Sequence, residues 1–144
     1  MLKPNSAPRA ARGWRAAVLG LAAAGLLGAC GALKPRSTEE VVAERALARW
    51  NAVLKKDGQA MHAYMRPEFR KLHTPEETQK LFGQTLAKEA KIYRTTCEEA
   101  RCTVRVVLNV VNPVLRTSIK TLDVVHEESW VREDGQWWFD SLVR

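Results

Sequence analysis

The hydrophobic period of the chain changes near Ala90, and that change constrains the fold more than any motif does. Upstream, the spacing is helical. Ala43, Leu47, Trp50 and Leu54 recur at steps of four, three and four, one stripe of an α-helix. Ser37 and Glu40 have capping-box spacing at its start, and Asp57-Gly58 stops it. A shorter helix over residues 59–65 directs Met61, Tyr64 and Met65 inward and ends ahead of Pro67. Thr74-Pro75-Glu76-Glu77 opens a third, with an N-cap, a proline in the first turn and a glutamate at the third helical position. Leu81, Phe82 and Leu86 are expected on its core side.

Downstream, the pattern is that of strands. Residues 91–97, 102–112, 118–131 and 136–143 are rich in Val, Ile, Thr, Tyr and Trp, with alternation. Val104, Val106, Leu108 and Val110 share one face, and Arg105 and Asn109 take the other. Pro113 ends the second strand, and Asp134-Gly135 is a hairpin signal between the last two. Helices followed by a meander of long antiparallel strands predict an α+β fold.

The first thirty residues read as an address. Residues 1–15 are polar and basic, whereas 16–29 contain only Ala, Val, Leu and Gly. That run falls short of the roughly 20 residues a bilayer-crossing helix needs, so a charged head and short apolar core predict a signal peptide over 1–29. Leu27-Gly28-Ala29-Cys30 resembles the lipobox of bacterial lipoproteins. The resemblance implies cleavage before Cys30 and lipidation of its thiol, followed by a flexible tether over residues 30–37. Two or three acyl chains give a stable anchor where one is marginal. Gly31, rather than aspartate, follows the Cys, which by the same resemblance favours the outer membrane, with the domain facing the periplasm.

Charge agrees with this address. The formal net charge is +7, but Lys3, Arg9, Arg12 and Arg15 fall in the leader, leaving 19 of the 23 basic residues against 16 acidic ones. A mature net charge of +3 gives no footprint for nucleic acid, and an exported protein would not meet any. Arg101, Arg105, Arg116 and Lys120 read as a dispersed solvent face.

With Cys30 assigned to lipid, Cys97 and Cys102 remain, an even pair for an oxidising compartment. Glu98-Glu99-Ala100-Arg101 between them suits a four-residue hairpin loop that sets the two thiols opposite each other, so a structural disulfide is expected. The spacing is wider than the CxxC of redox pairs, and a zinc site lacks further ligands nearby. No phosphate loop, Ser-His-Asp spacing or metal cluster is present, and no cofactor is expected.

Three stretches of the mature chain resemble the NTF2-like (SnoaL/ketosteroid-isomerase-like) superfamily. They are residues 46–53 with Lys56-Asp57-Gly58 and Ala63-Tyr64, then Arg66-Pro67-Glu68-Phe69-Arg70, then Ser129-Trp130-Val131 with residues 134–139. The resemblance implies a single domain over residues 38–144 built as a cone, with helices packed on a curved antiparallel sheet around a hollow. Members include isomerases, dehydratases, transport factors and adaptor domains, so the cone alone does not fix the chemistry. Trp50, Tyr64, Phe69, Asp123 and Trp137 are the candidate lining of the hollow.

For catalysis, the candidates are Asp123 and His126, although three positions apart they occupy opposite faces of a regular strand. Trp137 and Trp138 also face opposite sides, so one of them packs under a helix or meets solvent. The leading expectation is a non-enzymatic binding or accessory module for an envelope protein or small apolar ligand. The alternative is an isomerase or hydro-lyase using Asp123 with a histidine. Homodimerisation through the sheet is compatible with either.

Overall fold

The computed structural model describes residues 35–114 and 118–141. The segment 1–29 expected to be a signal peptide and Cys30 therefore lie outside the described residues, as do Arg116 and Val143.

Helix α1 (Thr38–Lys55) begins at the capping box read from the sequence. The Ser37 hydroxyl accepts from the Glu40 backbone N–H, and the Glu40 carboxylate accepts from the Ser37 N–H. It ends on Lys56 in the left-handed region, with φ at 55°. Its buried face is Val42, Ala46, Arg49, Trp50 and Val53. The expected stripe through Ala43 and Leu47 is thus rotated by about one position, and Leu47 is exposed. The cause is tertiary: α1 lies closest against β1, where Ala87 and Ala90 are small and buried, and Arg49 turns inward to meet a carboxylate.

Helix α2 (Gly58–Ala63) is capped by the Asp57 carboxylate, which accepts from the Ala60 N–H. Gly58 has a packing reason, since a Cβ there would lie 2.6 Å from the Pro75 carbonyl oxygen. Met61 and Met65 are fully buried as expected, and Tyr64 is half-buried.

Residues 67–72, read only as a lead-in segment, form a helix of their own, α3 (Pro67–Leu72), with proline at its first turn. Helix α4 (Pro75–Phe82) starts at a second capping box between Thr74 and Glu77. Its core side is Thr78 with Phe82 half-buried, whereas Leu81 and Leu86 are exposed, contrary to expectation. Thr78 and Phe82 are one turn apart on the face that meets α2 and the aromatic core. Leu81 is rotated off that face, and Leu86 falls beyond the helix end.

The sheet has the strands β1 (Ala87–Glu98), β2 (Arg101–Val111), β3 (Thr121–Glu133) and β4 (Gln136–Phe139), antiparallel and in sequence order. β1 starts earlier than expected, and β4 stops at Phe139. Register shifts at Ala87/Glu89 and Ile92/Arg94 bend β1 and help to curve the sheet. The first hairpin is tighter than the four-residue loop expected. Glu98 pairs with Arg101, so only Glu99 and Ala100 turn, with Glu99 at φ 45°. Asp134 and Gly135 both have positive φ, as a type I′ hairpin requires.

Val104, Val106 and Leu108 face the helices and are buried. The opposite face carries polar cross-strand pairs, Arg105 with Glu127 at 3.1 Å and Asn109 with Asp123 at 2.8 Å. One covered and one solvated face is the normal economy of an antiparallel sheet. The fold is the α+β architecture expected, helices on one side of a curved antiparallel sheet. Among the described residues no helix is long and apolar enough to cross a membrane.

Candidate functional site

The middle of the helix-facing side is occupied by an ion pair. Arg49 of α1 donates from Nη1 to Glu128 Oε1 of β3 at 2.6 Å, and both side chains are essentially sealed from water. Glu128 also accepts from the Trp130 indole N–H at 3.2 Å. The Arg49 guanidinium lies 3.6 Å from the centroid of the Phe139 ring. Burial pulls the Arg49 pKa down, and the Glu128 charge and hydrogen bond oppose that pull. With Trp130, Phe139 and Met65 buried around them, these side chains fill the hollow at this level. The sequence reading did not single out Arg49 or Glu128. The available signal was parity: Glu128 alternates in phase with Trp130, and a carboxylate on the covered face needs a partner.

The five candidate lining residues do not converge on one pocket. Trp50 is 7% exposed, its indole N–H is buried without a partner, and its ring meets His126 edge-on at 5.5 Å. Tyr64 sits under the Arg45 guanidinium, 5.3 Å from its ring centroid. Trp137 is core, and its carbonyl accepts from Arg45 Nε at 2.8 Å. Asp123 is exposed on the solvated face, held by Asn109. His126 is exposed on the helix-facing side, so Asp123 and His126 stand on opposite faces, as the alternation predicted. Trp138, on the opposite face from Trp137, is half-buried, with the guanidinium groups of Arg70 and Arg45 4.6 Å and 5.6 Å from its ring centroid.

Phe69 belongs to a different feature, a cleft of about 240 Å³ lined by Arg66, Glu68, Phe69, Leu72, His73 and Ser141. Phe69 stacks on His73 at 4.2 Å and continues inward through Phe82, Phe139 and Trp130 at centroid spacings of 5.9, 5.8 and 6.0 Å. An unbroken aromatic chain therefore runs from the cleft floor to the buried ion pair. Arg66 forms the polar wall. Its Nε donates to Glu133 at 2.7 Å, and its Nη1 lies 3.5 Å from Asp140, which Arg101 also meets at 3.1 Å. Burial works against the Arg66 charge, but the bonds and charges of Glu133 and Asp140 outweigh it and raise the pKa.

Behind the cleft, His62 Nδ1 lies 2.9 Å from Thr78 Oγ1. Thr78 spends its own proton on the Thr74 carbonyl, so its oxygen accepts from His62 Nδ1–H, leaving Nε2 as the ring's acceptor. Desolvation pushes the His62 pKa down, the Arg70 and His73 charges act in the same sense, and Glu76 opposes them.

Cys97 and Cys102 form the expected disulfide, with Cα atoms 4.0 Å apart at paired positions of β1 and β2. Among the described residues no group of His, Cys, Asp and Glu side chains is placed to hold a metal ion.

No protein-family profile and no curated sequence relative matches the chain. Several solved structures are similar to part of the chain. A SEC-C motif containing protein from Rhodopseudomonas palustris is 18% identical, over 65% of this chain and 70% of that one, at a TM-score of 0.46. A SEC-C motif containing protein from Psychrobacter arcticus is 12% identical at a TM-score of 0.49, covering 67% of this chain, which spans only 56% of that protein's length. A putative NTF2-like transpeptidase from Campylobacter jejuni is 11% identical at a TM-score of 0.48, over 67% of this chain and 94% of that one.

Proposed function

We propose that this chain is an exported, lipid-anchored bacterial envelope protein, facing the periplasm from the outer membrane, whose domain is a non-enzymatic binding module for a protein partner. The cleft beside α3 carries the reading. At about 240 Å³ it falls below the roughly 300–1,000 Å³ of small-molecule sites, so it suits one inserted apolar side chain better than a whole small ligand. Leu72 stands at its wall, 74% exposed, next to the Phe69–His73 stack. An exposed leucine beside a ready-made aromatic floor, flanked by Arg66, has the composition of an interface core with a polar rim. The leader ending at Cys30 and a disulfide suited to an oxidising compartment support the location.

The isomerase or hydro-lyase alternative needs a carboxylate and its proton partner together in the hollow. Asp123 and His126 are on opposite faces, and Glu128, the carboxylate at the centre, is tied to Arg49.

The test uses the full chain in a Gram-negative host, with a photocrosslinking side chain at Leu72 or, as the control, at exposed Leu81. A discrete adduct from Leu72 alone is expected; identical patterns from both positions would sink the binding reading. Labelling with an alkynyl fatty acid, lost in Cys30→Ala, tests the anchor separately.

A further inference from the structure

Most arginines of this domain are answered by an acid or by water. Among the described residues, Arg36, Arg49, Arg66, Arg101 and Arg105 each meet a carboxylate within ion-pair distance. Arg94 and Arg132 have no such partner, but both are exposed, where water compensates the charge. The exceptions are Arg45 of α1 and Arg70 of α3. Both are half-buried, and neither has an ion pair among the described residues. Their guanidinium groups converge on one ring, that of Trp138 in β4, at 5.6 Å and 4.6 Å from its centroid.

The surroundings hold this arrangement in place. The Trp138 indole N–H is spent on the Glu133 carbonyl at 3.3 Å, so the ring is oriented and offers only its π faces. The Phe139 N–H donates to the Tyr64 carbonyl at 2.9 Å, which sets Tyr64 beside β4, and the Arg45 guanidinium lies 5.3 Å from the Tyr64 ring centroid. Arg45 Nε donates to the Trp137 carbonyl at 2.8 Å, whereas Arg70 Nε is buried without a hydrogen-bond partner. A cleft of about 310 Å³ is lined in part by Arg45 and Tyr64. Aromatic faces attract a cation but do not neutralise it. Burial accordingly pulls the Arg45 pKa down with no carboxylate to oppose it, in contrast to Arg49 and Arg66. The Arg70 charge reaches His62, where it adds to desolvation in depressing the imidazole pKa. Two neighbouring cations and a stranded N–H donor are costly unless an anion completes them.

We propose that Arg45 and Arg70, gathered on Trp138, form a binding site for a phosphate monoester. The proposal depends on neither the envelope location nor the cleft beside α3. A carboxylate would answer one of the two charges. A phosphate monoester carries about −1.5 to −2 at pH 7 and three acceptor oxygens, enough for both. The planar guanidinium fork matches phosphate oxygens in bidentate geometry, and the long arginine stems allow both forks to close on one anion at the ring edge. The nearby acids do not repel it as free charges, because Glu44 is tied to Arg36, and Glu133 and Asp140 to Arg66.

The test titrates the full chain, in uncharged maltoside micelles at fixed pH and ionic strength, with inorganic phosphate. In heteronuclear NMR the Nε–H signals of Arg45 and Arg70 and the indole N–H signal of Trp138 should move together and saturate. Arg45→Gln and Arg70→Gln should each weaken binding by about tenfold or more, and Arg94→Gln, at an exposed cation of β1, should leave it unchanged. Dimethyl phosphate, a singly charged diester, should bind the unaltered chain at least about tenfold more weakly than inorganic phosphate. Shifts that never saturate, equal losses in all three variants, or equal binding of dimethyl phosphate would overturn the proposal. Glycerol phosphate and phosphatidate vesicles then distinguish a soluble from a lipid-borne monoester, and binding of neither overturns it equally. If Arg45→Gln or Arg70→Gln does not fold, the comparison of inorganic with dimethyl phosphate decides alone.

Discussion

Arg49 and Glu128, 79 residues apart in the chain, meet at 2.6 Å at the centre of the domain, away from water. Such a pair gains little net stability over apolar side chains of the same volume, but its halves are costly alone. Glu128→Leu, which strands the guanidinium and removes the Trp130 acceptor, should lower the unfolding free energy by about 3–5 kcal/mol in urea titration. Adding Arg49→Met should recover most of that loss. A single variant costing less than about 1 kcal/mol would mean that water reaches the pair.

The His62 environment gives a stability profile with a definite sign. Its folded pKa is depressed, chiefly by desolvation, so the unfolded chain takes up the proton first as pH falls. The contribution is fully present above the ordinary imidazole value of about 6.5 and declines as pH drops from there toward the folded pKa. Thermal melts from pH 8 to pH 5 should show this acid-side fall, and His62→Gln should flatten it. An identical acid limb in the variant would show that other groups dominate.

What was legible in the sequence was what is decided locally. Both capping boxes and the Asp134-Gly135 turn depend on neighbours within a few positions and appear where read. So does strand parity, which placed Val104, Val106 and Leu108 inside and kept Asp123 and His126 apart. What failed was decided at a distance. Leu47 has the better apolar side chain, yet α1 turns Ala46 and Arg49 inward, because small β1 residues and Glu128 wait there. The cleft escaped notice because its wall is α3, a six-residue helix too short to show a period, and because it is completed by Ser141 from the far end of the chain. Trp50, Tyr64, Phe69 and Trp137 were sound as buried or half-buried aromatics, but aromatic content alone does not say whether rings line a hollow or fill it.

Glu99 holds φ at 45°, a left-handed conformation that costs a residue with a Cβ roughly 1–2 kcal/mol. Its side chain is exposed at the tip of the turn. Glu99→Gly should therefore raise stability, by up to about 1 kcal/mol after the added freedom of the unfolded chain is subtracted. Equilibrium denaturation measures this directly, and a destabilised variant would show that Glu99 makes a contact worth more than the strain.

The Cys97–Cys102 bridge closes a loop with a sequence separation of 5, short enough that chain entropy predicts only about 2 kcal/mol. Two features bear on whether that is realised. The ladder already extends past the bridge to the Glu98–Arg101 pair, and the Ala100 carbonyl is held by the Arg132 N–H, so the hairpin end is fixed without sulfur. Cys102, by contrast, is fully buried, so its replacement removes packing as well as the crosslink. Reduction and mutation therefore separate the two contributions. A reducing agent should lower the urea midpoint by the crosslink alone, about 2 kcal/mol or less with the m-value nearly unchanged, and Cys97→Ala with Cys102→Ala should cost about 1 kcal/mol more. Reduction that unfolds the domain outright would mean that the bridge, rather than the ladder beyond it, sets the register of β1 on β2.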